Sequence, residues 1–311
     1  MIFSFTQNIG QDRFPGNSGQ KMRRLTPYLL LFPFLLVMAL LIAGGVSTMM
    51  QSFGYLPQFG MSRLSCEHYR AALSQGRFVT SLCHTLCLSL ASAALSVLFG
   101  LAIAFLIRRT GSERSFLYTL YKVPIILPHL VVVILMLGLF SQTGVFSRLA
   151  FALGLISGPN DFPLMVFDRG GIGIMLVYLY KQIPFVTLTV FAVLLKLDLK
   201  YGEIAGNLGA GAGLILTRVV LPQLAPVILS AFLICFAFAF GAFEVPFLMG
   251  SPARATLPVL AYHDYTSVVL AQRPRAMAMN IIVSVFSLGL IWLYMRLFRF
   301  FSRRGLEGGL L

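Results

Sequence analysis

Few residues in this 311-residue chain have types and spacings suited to chemistry. Cys83, His84 and Cys87 are metal-ligand types, but no fourth ligand of matching spacing joins them. They read as packing residues on an apolar helix, and no metal site is expected. Lys122, His129, Lys181 and Glu244 are ionisable groups in or beside apolar runs. A charge at bilayer depth costs about 2.5–3.5 kcal/mol on insertion scales. Each such group therefore lines a solute path, pairs with a neighbouring carbonyl or carboxylate, or reaches the headgroups. Lys122 has a stem long enough to snorkel. Lys181 and Glu244 are the candidates for a translocation path. Pro124 and Pro128 join them, because a proline in a membrane helix frees backbone carbonyls and kinks the axis. The chain contains no G-x-x-x-x-G-K-[ST], no H-E-x-x-H and no G-x-S-x-G. It lacks a phosphate cradle and a catalytic set, so neither an enzyme nor a resident cofactor is expected.

These residues need apolar elements to hold them. The chain is 58% hydrophobic and 11% charged, where soluble domains carry about 25% charged residues. Six runs reach the length of about 20 residues that a bilayer demands: about 27–50, 80–107, 116–141, 171–195, 221–249 and 276–300. The first is too long for the apolar region of a signal peptide and reads as a retained membrane helix. The net charge of +14 belongs to arginines flanking these runs, which points to lipid headgroups and orientation and away from nucleic acid. Four scattered cysteines make no disulfide framework. With the N-terminus inside, the inner segments hold fourteen of the 24 Lys and Arg, among them Arg23, Arg108, Lys196 and Arg303. The outer loops hold eight: Arg63, Arg70, Arg77, Arg148, Arg169, Arg254, Arg273 and Arg275. Both termini are thus expected on the cytoplasmic side of the membrane, and residues 196–220 in the cytosol.

That cytosolic loop carries the stretch "EIAGNLGAGAGLILTRVVLP", Glu203 to Pro222. Ala205, Leu208, Ala212 and Ile215 fall at spacings of one helix face. Glu203 suits a first helical turn. The glycines at 209, 211 and 213 each weaken a helix by about 1 kcal/mol relative to alanine and permit a turn. Pro222 suits the first turn of the next helix. The expectation is a short helix, a glycine turn and a membrane helix.

Glu203, Ala205, Gly209, Ala210, Val219, Leu221, Pro222 and Pro226 resemble, in spacing, the cytoplasmic E-A-A loop of ABC-importer permeases. Ile204 departs from that pattern, as does the Gly-Ala-Gly-Ala-Gly run at 209–213. "VPIILPHLVV", "YKQIPFVTLTVFAVLLKLD" and "FGAFEVPFLMG" look like helices of the same family, in its polyamine, ferric-iron, thiamine and phosphonate subgroup. The resemblance covers about residues 26–300. It implies an all-α polytopic permease with about six membrane helices and type I importer architecture. Residues 1–25 and 301–311 would be cytoplasmic tails around a permease domain at 26–300. It also implies a second permease, a substrate-binding protein and cytosolic ATPase subunits that hydrolyse ATP. Glu203, Ala205, Gly209, Ala210, Leu221 and Pro222 would form the ATPase-coupling loop. An ion- or proton-coupled secondary transporter using Lys181 and Glu244 is the alternative, which the lack of repeat halves disfavours.

Overall fold

The computed structural model describes residues 17–61, 63–111, 119, 121–197 and 200–307. Six stretches are long and apolar enough to cross a membrane: 30–52, 76–110, 129–152, 172–194, 212–241 and 270–296. The only β pairing among the described residues is a bridge between Leu56 and Met61. The chain divides into two units, Met1–Met50 and Gln51–Leu311. The first is built on α1 (Asn17–Ser52), whose helix begins inside the region expected to be a polar tail. Residues 1–16 and 308–311 lie outside the described set.

The second unit is a packed helical body. Its centre is α3 (Gly76–Thr110), which lies against α7 (Ile172–Leu194) and α10 (Leu221–Gly241). The residues that α3 buries explain the fit. Ser81, Thr85, Ser89, Ser92, Ser96, Gly100 and Ala104 follow one another at three- and four-residue steps along one face. Lipid is as apolar as leucine, so membrane helices associate through close packing and hydrogen bonds, which favour small residues at the seam. A Cβ on Gly100 would stand 2.7 Å from Val186 Cγ1 of α7, so only glycine allows this approach. Thr187 of α7 donates to the Gly100 carbonyl at 3.1 Å. Leu82, Leu86, Val97 and Phe232 fill the remaining space against the buried Phe191, Leu194, Phe236 and Phe240.

The third span is broken where one continuous helix over 116–141 was expected. A proline pushes the residue before it out of the helical region. Leu127 is accordingly extended, at φ −65° and ψ 132°, and Pro128 caps a new helix. The result is a single turn, α4 (Val123–Ile126), then α5 (His129–Phe140), a turn at 141–144 and α6 (Val145–Ala152). Pro124 and Pro128 therefore sit at helix starts instead of kinking one helix. The fifth span also differs from the expected 221–249. A proline inside a helix clashes with the carbonyl four residues back. For Pro246 that carbonyl belongs to Ala242, which is extended, and α11 (Glu244–Met249) starts afresh.

The body is closed by α2 (Glu67–Ser74), α12 (Leu257–Thr266) and α13 (Arg273–Glu307). Specific bonds tie α12 and α13 in place. The Leu257 N–H, an orphan donor of the first turn of α12, finds Thr85 Oγ1 at 2.8 Å. Arg275 and Asp264 pair at 2.8 Å between α13 and α12. The hydroxyls of Ser230 and Tyr294 share a hydrogen bond of 2.8 Å between α10 and α13.

Candidate functional site

Two places gather the chemistry. The first follows α7. Arg108, in the last turn of α3, donates to the carbonyl of Leu194 at the end of α7, so these two ends are clamped together. Beyond them lie α8 (Lys200–Asn207) and α9 (Ala212–Ile215), joined by a turn. Gly209 makes that turn in the left-handed region, at φ +85°, and the Ala210 N–H reaches back to the Ala205 carbonyl at 2.9 Å. A left-handed glycine closing a helix in this way is a common stop. The short helix, glycine turn and following membrane helix thus match the order read from the sequence. The expected single face does not form, because the turn separates Ala205 from Ala212. Leu208 is instead 84% exposed and Ile204 56% exposed. Ala205, Ala210 and Ile215 are half-buried between the two small helices. Glu203 lies within α8, and its side chain is outside the described set.

A π turn, Leu216–Val220, links α9 to α10. Its reason is local. Pro222 has no N–H for the Arg218 carbonyl, and the wider turn lets the Leu221 N–H reach the Leu216 carbonyl instead. Pro222 sits in the first turn of α10, and Pro226 lies inside it.

The second place is a cavity of about 240 Å³ between α4, α5, α7 and α10. Ile125, His129, Tyr178, Lys181, Gln182 and Phe238 line it. The Lys181 ammonium donates to the Leu127 carbonyl at 2.5 Å and the Ile125 carbonyl at 3.4 Å. These are carbonyls that the break at Pro128 strips of helical donors, so Lys181 mends the backbone that Pro128 interrupts. The imidazole of His129 stacks on the Phe238 ring, 4.8 Å between centroids. Gln182 is buried and uses both ends of its amide. It accepts from Ser96 at 3.0 Å and donates to the Cys235 carbonyl at 3.3 Å, tying α3, α7 and α10 together. The Tyr178 hydroxyl is buried with no partner among the described residues.

The structure therefore joins Lys181 to the Pro128 break but does not bring Glu244 to the cavity. Glu244 is exposed in the first turn of α11, where a carboxylate suits the helix dipole. Pro124 is buried in α4. Gln182 and the serine face of α3 were missed. A glutamine inside an apolar run is the signal that could have found the first. Cys83 and Cys87 are exposed on the outer flank of α3, contrary to the packing role expected of them, and only Cys235 is buried. No cluster of metal-ligand types forms among the described residues.

Broken apolar spans around a polar knot, with a short glycine-turned segment between two of them, define a multi-pass helical membrane protein. The comparisons agree with that class. Residues 96–304 match the model of the binding-protein-dependent transport system inner membrane component. The chain belongs to that family, whose members include ABC-importer permeases, and so is an inner-membrane multi-pass protein. It is 28% identical over 198 residues to the sulfate transport system permease protein CysT of Salmonella typhimurium, spanning 63% of this chain and 68% of that one. It is 27% identical over 237 residues to the inner membrane ABC transporter permease protein YdcU of Escherichia coli, spanning 72% and 75%. Its fold is similar to a chain of a bacterial ABC transporter that imports the acidic polysaccharide alginate. The TM-score is 0.68 at 18% identity, covering 90% of this chain and 98% of the other. These matches define the family and leave its substrate subgroup open.

Proposed function

We propose that this chain forms, with a second permease, the path for a small solute handed over by a substrate-binding protein. Cytosolic ATPase subunits hydrolyse ATP and push on the α8–α9 foot, and that push switches the path between its two openings. Both termini and the foot then face the cytosol. Support comes from the family, from one fold relative solved with a binding protein carrying an alginate pentasaccharide, and from another described as the MetNI methionine ABC transporter.

The observation that carries the reading is the foot. Ile204 and Leu208 leave apolar side chains exposed in the segment between the spans 172–194 and 212–241, uncovered by the described residues of this chain. A partner with an apolar groove is the natural cover, in the manner of a short amphipathic helix laid into a groove. The test uses Leu208→Cys in a chain freed of its four native cysteines, assembled with its ATPase subunits. A crosslink to the ATPase whose yield changes with ATP is expected. Absence of any such crosslink in an assembled complex overturns the coupling. Uptake that survives ATP depletion but collapses with the ion gradient favours the secondary transporter instead.

A further inference from the structure

A second, larger pocket, of about 730 Å³, lies at the other end of the spans, away from the foot. It is a half-open concavity lined by the start of α3 and by the stretch 252–272, which includes α12. Its size is that of an ordinary small-molecule site. Its ionisable lining groups are Arg77, Arg254, His263 and Asp264. Asp264 is already held by Arg275 at 2.8 Å, so its charge is answered within the protein. Neither the Arg77 nor the Arg254 guanidinium has an ion-pair or hydrogen-bond partner among the described residues. Two unanswered guanidinium groups therefore share one concavity, alongside the hydroxyls of Thr80 and Ser267. Guanidinium forks match the oxygens of carboxylate, sulfate or phosphate two at a time, so an arginine pair selects oxyanions over neutral solutes.

The same residues bear on a feature of the charge pattern. Lys and Arg normally gather on the cytoplasmic side, and yet eight arginines lie in the loops read as outer. Arginines that collect a solute explain part of that excess, which orientation alone does not.

From these observations we infer that the Arg77–Arg254 pocket is an oxyanion site at the outer mouth of the path, taking a small molecule that bears a carboxylate, sulfate or phosphate group. The inference rests on the proposed permease reading for its sidedness. The site concentrates an anionic solute beside the path.

Titrating the assembled complex in lipid nanodiscs with inorganic sulfate at low ionic strength, by calorimetry, tests it. Saturable binding is expected, weakened at least tenfold in the R77Q/R254Q double variant and partly restored in R77K/R254K. Arg169→Gln changes an outer arginine that does not line the pocket, and should leave the isotherm unchanged. Equal loss in R169Q would mean a diffuse positive field and would overturn the site. So would a wild-type complex that binds no sulfate. If R77Q/R254Q instead weakens attachment of the delivering protein while sulfate never binds, the pocket is a protein socket and the inference fails. Binding is read on the complex itself. An intact isotherm with no ATP-driven uptake would therefore count against the importer reading and leave the pocket standing.

Discussion

Lys181 holds two roles apart that a single substitution can separate. Lys181→Met keeps the apolar stem and removes the ammonium. The half-buried Leu127 carbonyl and the exposed Ile125 carbonyl then lose a charged donor, at a cost of about 1–3 kcal/mol. A lower melting temperature of the purified protein is expected, with α4 and α5 loosened at the Pro128 break. Unchanged melting with reduced uptake would make Lys181 a path residue and not a mender of backbone. The sequence carried half of this result. A lysine in an apolar run announces itself, and its pairing with a neighbouring carbonyl was among the readings. Gln182, one residue further on, has no formal charge and passes as filler. Its worth comes from Ser96 and Cys235, which lie 86 and 53 residues away in the chain, and no local pattern brings them together.

Among the elements, the foot depends on one backbone conformation. Gly209 is left-handed at φ +85°, while Gly211 is ordinary at φ −68°. A side chain in the left-handed region costs about 1–2 kcal/mol, and a β-branched one more. Gly209→Ala should therefore weaken association with the ATPase subunits by about fivefold or more, since 1 kcal/mol is a factor of that order. Gly211→Ala, with open space around its Cβ position, should leave association unchanged. Equilibrium binding of purified subunits decides between them. Equal effects of the two substitutions would refute the turn's role. The short helix and its turn were legible because glycine and proline punctuate a chain locally. The breaks at Leu127 and Ala242 were less so. The prolines were plain in the sequence, but a proline can kink a helix or restart it. Packing of the flanking turns against α7 decides which.

At the scale of the whole molecule, hydropathy made the six spans visible, because bilayer thickness imposes one length on all of them. The arrangement was not visible. Its organiser is the small-residue face of α3, and serine and alanine score near neutral in any hydropathy window. The proposed sidedness has a direct consequence. Cys66 is exposed in the connection between the first two spans. In whole spheroplasts a membrane-impermeant maleimide should label Cys66, and should label a cysteine at position 208 only after lysis. The reverse pattern would invert the molecule and remove the foot from any motor.

The π turn at 216–220 fits one more residue into its coil than the α-helix that follows. Deleting a single amino acid there would let the coil tighten to regular pitch, and everything upstream would swivel by roughly 100° about the axis, the angle one residue subtends. The spare residue thus acts as an angular setting. It sets the direction in which the segment bearing Ile204 and Leu208 faces relative to the helix that follows.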